Sequence, residues 1–199
     1  MSIALTGLNP PLRILPDDPD ALVSVADFWR LSAENPGLRM ELHANGEILI
    51  MTPTQRTTGF FGSDITGQLR NWAVQDGRGY ACDSSTGFTL PDGSVLSPDA
   101  AWIDSSKWHP GKEDDYLTPM SPDFVIELRS KNDRLAESRR KMQLWLANGV
   151  PLAWLIDPER KTVEIYRPGK AVEEQDGNTA AYGEGPVGGF VLELGRIWG

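Results

Sequence analysis

Cysteine and histidine are almost missing from this chain of 199 residues: Cys82 stands alone, and His43 and His109 are the only histidines. A single cysteine excludes an intramolecular disulfide and any cysteine-rich zinc or iron–sulfur site, and it favours a reducing, cytoplasmic setting. With no Gly-x-Ser-x-Gly elbow before either histidine, a serine-hydrolase triad has no obvious home. Long apolar runs are missing too. The longest, Val150 to Ile156, is far shorter than a membrane span, and Met1 to Pro19 has no basic start followed by an apolar stretch, so neither a membrane partner nor a secretion signal is expected. No Walker-type phosphate loop occurs. The string Gly183-Glu184-Gly185-Pro186-Val187-Gly188 neither follows a convincing strand nor opens a helix, and Glu184 would face a pyrophosphate, so it reads as a plain loop. Basic charge is in deficit, with 19 Lys and Arg against 28 Asp and Glu and a net charge of −9. The whole-molecule field therefore repels nucleic acid and anionic membranes, and a polyanionic partner must be met by a local patch.

What remains is an ordinary globular composition, 40% hydrophobic and 24% charged, enough for one domain with its own core. Pro10, Pro11, Pro16 and Pro19 among Asp17, Asp18 and Asp20 suit an extended tail over residues 1–22, leaving a single domain over 23–199. Ser24 can cap a short helix through Leu31. Residues 40–44 and 47–51 flank Asn45-Gly46, which predicts a hairpin closed by a two-residue type I′ turn. Phe61, Ile65, Leu69 and Trp72 mark one face of a helix ending at Gly77. Strands are expected at 79–82, 87–90, 99–103 and 123–130, with a surface loop from Trp108 to Ser121. Asn132 or Asp133 can cap a helix whose stripe is Leu135, Met142, Trp145 and Leu146, stopped by Gly149 and Pro151. A second hairpin over 152–156 and 162–166 and a last strand at 190–194 complete the pattern. This order predicts an α/β or α+β domain with a mixed sheet and helices packed on it.

Carboxylates on strands beside basic residues are the remaining source of chemistry. Along Ser121 to Ser130 the period-two alternation sends Phe124, Ile126 and Leu128 to a core, and Asp123, Val125, Glu127 and Arg129 to the other face. Asp123 lies about 13 Å from Glu127 along such a strand, too far to share an ion with it. A neighbouring strand about 4.8 Å away can supply the partner carboxylate, and Asp99 stands where one begins. Asp99 with Glu127, and Arg129 or Lys141 beside them, makes a hard oxygen site suited to a divalent metal and to phosphodiester chemistry. A half-exposed strand with a polar face, and a turn closed by an aspartate, account for the same letters without any site. Between Glu127 and Lys141, six basic residues outnumber three acidic ones, a candidate surface for a polyanion.

Several segments in the same order resemble the Uma-two restriction-endonuclease family. They are Arg39 to Thr54, Leu90 to Gly93 with Ser97-Pro98-Asp99, and Pro122 to Ser130. The likeness continues through Lys141-Met142, Asn148-Gly149-Val150, Trp154 to Pro158, Tyr166, and Gly189-Phe190 to Trp198. The resemblance spans roughly Val23 to Trp198. It implies a PD-(D/E)XK fold, a mixed sheet flanked by helices, with Mg²⁺ or Mn²⁺ in a cleft, DNA as partner and a homodimer as assembly. Pro98-Asp99 looks like the PD element and Glu127-Leu128-Arg129 like the (D/E)XK element. The lysine position holds Arg129, so either Arg129 substitutes for it or Lys141 reaches the site from the following helix. Glu41 is similar to an acidic position of the family's N-terminal hairpin and is a candidate third metal ligand, with a rim salt bridge as the alternative. Lys131, Arg134, Arg139 and Arg140 are the candidate DNA contacts. The rival to a metal-dependent DNA endonuclease is a non-catalytic descendant of the fold, a DNA-binding or assembly module.

Overall fold

The computed structural model describes residues 12–14, 22–109 and 116–198. In chain order the elements are β1 (Leu12–Ile14), α1 (Val25–Glu34), β2 (Arg39–Leu42), β3 (Ile48–Met51), α2 (Arg56–Asp76), β4 (Gly79–Asp83), β5 (Phe88–Thr89), β6 (Val95–Leu96), β7 (Ala100–Asp104), β8 (Phe124–Leu128), α3 (Leu135–Ala147), β9 (Leu152–Asp157), β10 (Thr162–Tyr166), β11 (Glu173–Asp176), β12 (Ala180–Tyr182), β13 (Val191–Glu193) and α4 (Gly195–Trp198).

The expected mixed sheet is six-stranded, in the order β11-β10-β9-β8-β7-β4. All its neighbours are antiparallel except β8 and β9, which run parallel and are joined by α3. That crossover is why β9 is an uninterrupted apolar run: helices cover both faces of the sheet centre. On one face α2 brings Ile65 and Leu69 against Phe124, Ile126, Trp154 and Ile156. On the other, Met142 and Trp145 of α3 pack on Val125, Ala153 and Leu155. The face of β8 that alternation assigns to solvent is thus a second core, and all five residues of β8 are buried.

A second, antiparallel sheet runs β1-β3-β2-β6-β5, and α1 closes it with Phe28 against Met40, Leu42, Ile48 and Val95. Ser24 caps α1 by accepting from the Asp27 N–H at 3.1 Å, a contact that stabilises a helix start by about 1 kcal/mol. The β2–β3 hairpin forms, but its turn is not the two-residue type I′. His43 pairs with Glu47 across a three-residue loop, the Gly46 N–H returns to the His43 carbonyl at 2.8 Å, and Gly46 alone takes positive φ, at 80°. A type I′ turn needs positive φ at Asn45 as well, whereas a type I turn followed by a left-handed glycine asks it of Gly46 only.

Three other boundaries differ from the sequence reading. Residues 12–14 of the expected tail pair with β3 as an edge strand, while residues 1–11 and 15–21 lie outside the described residues. α3 starts after Arg134 with no side-chain cap, because the Asp133 carboxylate is spent on the Ser130 N–H at 2.8 Å. α2 begins at Arg56, a turn and a half before its apolar stripe. The expected 108–121 loop lies partly outside the described residues, at 110–115. Residues 183–188 are a loop with a short 3-10 turn at Gly185–Val187.

Candidate active site

Four chain segments converge where the two sheets meet. β2 pairs with β6 at Leu42 and Val95, so the chain leaving β6 passes beside Glu41. There the Ser97 N–H donates to Glu41 Oε1 at 3.0 Å. Pro98 then leads into β7, whose register sets Ala100 opposite Ile126; one residue back, Asp99 falls opposite Glu127. Asp99 Oδ2 accepts from the Leu128 N–H at 2.8 Å, which ties this carboxylate to the end of β8. From α3, Lys141 and Trp145 are four residues apart and therefore share a face. Both reach the same atom: Glu127 Oε1 accepts from Trp145 Nε1 at 2.8 Å and lies 3.0 Å from Lys141 Nζ. Lys141 Nζ also donates to Glu41 Oε1 and to the Ser97 carbonyl, each at 2.9 Å. Two hydrogen bonds and the ion pair to Glu127 thus hold the ammonium in place.

The charges do not balance. Two carboxylates bind one ammonium and a third, Asp99, adds its charge from beside Glu127, in a place where Glu41 and Glu127 are only 2% and 8% exposed. Burial pushes the Glu127 carboxyl up to about 7, with Asp99 and Glu41 adding repulsion that Lys141 and Trp145 only partly offset. Burial likewise raises the Asp99 carboxyl, against the pull of Lys141 and the Leu128 N–H. For Lys141 burial works toward neutrality, but Glu127, Glu41 and Asp99 outweigh it and hold the ammonium protonated, above its ordinary range.

Each carboxylate also keeps one oxygen uncommitted: Glu127 Oε2, Glu41 Oε2 and Asp99 Oδ1 accept no hydrogen bond from the described residues. Among the described residues the fully sealed polar atoms without partners are Trp102 Nε1, Trp154 Nε1 and Thr162 Oγ1, so the spare carboxylate oxygens are not completely closed off. Among the described residues no group of three His, Cys, Asp or Glu side chains is arranged to hold a metal ion. A magnesium-type ion needs only one or two protein carboxylates and completes its shell with water and phosphate. Asp99 and Glu127, hard oxygen donors facing each other with surplus negative charge, fit that requirement. Glu41 serves Lys141 instead.

The other candidates stand apart. Arg129 shares the strand face of Glu127 but leans to the far side of β8: Nη1 bonds both oxygens of Asp157 at 3.0 and 2.9 Å, and Nε bonds the Asp133 carbonyl. Arg139 is held by Glu164 at 2.5 to 3.1 Å. Lys131, Arg134 and Arg140 are exposed. The basic excess of this segment is local to the sequence only, because Glu41, Asp157 and Glu164 arrive from elsewhere and offset it. Asp123 sits at the opposite end of β8, bound to Lys107 at 2.7 Å. Trp145 reads from the sequence only as a core residue of its helix, and Ser97 only as the residue before Pro98-Asp99; neither reads as part of the site. Trp145 carries a signal, the i+4 spacing from Lys141; a backbone carbonyl such as that of Ser97 carries none.

Comparison with known proteins agrees with this architecture. The family model Uma2, described as "Putative restriction endonuclease", matches residues 25–194. A solved structure described as a "putative nuclease belonging to DUF820" from Anabaena variabilis ATCC 29413 is similar with a TM-score of 0.74 at 20% identity, covering 88% of this chain and 97% of that one. A cryo-EM structure of a DrdV–DNA complex aligns over 56% of this chain and 9% of that one, with a TM-score of 0.39 at 15% identity. A search of the curated proteins found no match. The fold, a mixed sheet flanked by helices, is shared with that DUF820 structure. The chain belongs to the Uma2 restriction-endonuclease family. No helix among the described residues is long and apolar enough to cross a membrane.

Proposed function

We propose that the chain is a Mg²⁺- or Mn²⁺-dependent endonuclease that hydrolyses phosphodiester bonds in DNA, with Asp99 and Glu127 as metal ligands and Lys141 as the central cation. The observation that carries this reading is the unbalanced cluster, in which buried Glu41 and Glu127 share one ammonium, Asp99 stands opposite Glu127, and each carboxylate keeps one oxygen without a donor among the described residues. Such an arrangement costs stability unless a cation joins it. A bound divalent cation would polarise a phosphate oxygen and lower the pKa of a water nucleophile there.

The remaining work falls to the chain's own groups. Lys141 stays protonated, so it is no general base; its ammonium offsets the negative charge that grows on phosphorus-bound oxygens during attack. Glu41 and the Ser97 carbonyl fix where that ammonium points. Trp145 holds one oxygen of Glu127 and leaves the other free to take a metal ion. Lys141 lies beside Glu127 although the strand position two beyond Glu127 holds Arg129, which favours an enzyme over a descendant that lost its lysine.

Supercoiled, linear duplex and single-stranded DNA incubated with the protein in Mg²⁺ or Mn²⁺ should be cut, and chelation should stop the reaction. Lys141→Ala, Glu127→Gln and Asp99→Asn should each slow cleavage by about 100-fold or more. No cleavage of any DNA form with either ion, or full activity in all three variants, would refute the proposal.

A further inference from the structure

An acidic cluster must still attract a polyanion, and three basic residues of the 127–141 segment are already engaged. Lys141 is shared between Glu41 and Glu127. Arg129 is bound to Asp157, and Arg139 to Glu164. Arg39 is different. It lies on β2 two residues before Glu41, and strand alternation puts both side chains on the same face. Glu41 is buried at the floor of the cluster, whereas Arg39 is exposed at the strand's end. Its guanidinium makes no hydrogen bond or ion pair among the described residues, yet it is close enough to act electrostatically on Asp99 and Asp83. Those two carboxylates mark one end of the central sheet, since Asp83 pairs with Ala100, the residue after Asp99.

Resting on the nuclease reading of the site, we infer that Arg39 is a substrate-binding residue that holds a DNA backbone phosphate at the mouth of the Asp99–Glu127 cluster. A guanidinium is always charged and offers a planar fork of N–H donors matched to two phosphate oxygens. Exposed on the strand face of Glu41 and unpaired among the described residues, it keeps those donors for an incoming anion. It also raises the potential at the rim of a site whose floor would otherwise repel DNA.

The test is anisotropy of a fluorescent duplex oligonucleotide in Ca²⁺, with the full-length chain and the variants Arg39→Ala, Arg39→Lys and Arg70→Ala. Arg70 is an exposed arginine on α2, on the other face of the central sheet, and controls for net charge. Arg39→Ala should weaken binding about tenfold and reduce the salt slope by about one, while Arg70→Ala changes affinity by less than about twofold. Arg39→Lys should recover part of the loss. Mn²⁺ stoichiometry by calorimetry should be unchanged in Arg39→Ala. Equal affinity of Arg39→Ala and Arg70→Ala, or no DNA binding by the unaltered chain at low salt, would overturn the inference. Arg39-dependent binding by a chain that cuts no DNA would instead overturn the nuclease reading and leave this contact standing.

Discussion

Glu127 on β8 and Glu164 on β10 are both buried under α3, 8% and 1% exposed, and both receive a cation from that helix. Around Glu164 every acceptor is used. Arg139 bonds both of its oxygens, Arg160 reaches Oε1 at 3.1 Å, and the Tyr166 hydroxyl donates to Oε2 at 2.6 Å. Burial acts to raise the Glu164 carboxyl, but these donors together hold it below the ordinary value. Around Glu127 burial prevails: one ammonium is shared between Glu127 and Glu41, Asp99 adds repulsion, and Oε2 has no donor among the described residues. One helix thus closes a balanced ion cluster, in which Arg139 and Arg160 meet Glu164 and Glu174, and leaves, two residues along at Lys141, a cluster short of positive charge. The shortage, rather than the mere presence of buried ions, distinguishes the candidate site.

Exchanging the two roles by mutation gives the largest expected effect. Glu127→Gln should abolish most cleavage while leaving stability to denaturant unchanged or higher, because a poorly compensated charge has been removed. Glu164→Gln should do the reverse, keeping cleavage within a few-fold and losing about 2 kcal/mol of stability as its charge-assisted bonds are lost. If Glu164→Gln lost activity as severely as Glu127→Gln with the fold intact, the contrast would collapse.

Arg129 sharpens the comparison from the side. It clamps the end of β8 to Asp157 of β9, so Arg129→Ala should cost about 1 kcal/mol in urea unfolding and leave Mn²⁺ affinity unchanged. Loss of Mn²⁺ binding in that variant, with the fold intact, would return Arg129 to the site.

The smallest effect is in the pH dependence of stability, and the two glutamates should act with opposite sign. Glu164 sits below the ordinary value of 4.5, so its contribution is present above that value and is lost as pH falls through the lower folded-state value. Glu127 sits near 7, so the folded state holds its proton more tightly than the unfolded chain does. Its contribution is full below 4.5 and is lost as pH rises toward 7. Denaturation in chelator from pH 4 to 8 should show the neutral decline flattened in Glu127→Gln and the acidic decline flattened in Glu164→Gln. Identical profiles for both variants would contradict the two assignments.

Much of this was readable in the letters. The strand-entry position of Asp99, the alternation around Glu127 and the family likeness together name the residues that the fold brings together, and they leave Lys141 and Arg129 as the two candidate cations. Alternation failed where it assumed an open face: it cannot tell water from α3, and only the apolar continuity of Val150 to Ile156 hinted that the sheet centre is covered on both sides. It also placed Arg129 with Glu127 correctly by face but could not choose between β7 and β9, the neighbours on either side of β8. The partners that decide the electrostatics, Glu41 for Lys141 and Glu164 for Arg139, are 100 and 25 residues away in sequence, so the basic segment appeared richer in free charge than it is.

The most direct measurement is the anomalous difference map of crystals of the full chain soaked in Mn²⁺. A peak bounded by Asp99 and Glu127, with Lys141 still bound to Glu41, is the predicted result. An empty cluster at saturating Mn²⁺, or a peak held by other residues, would contradict the account.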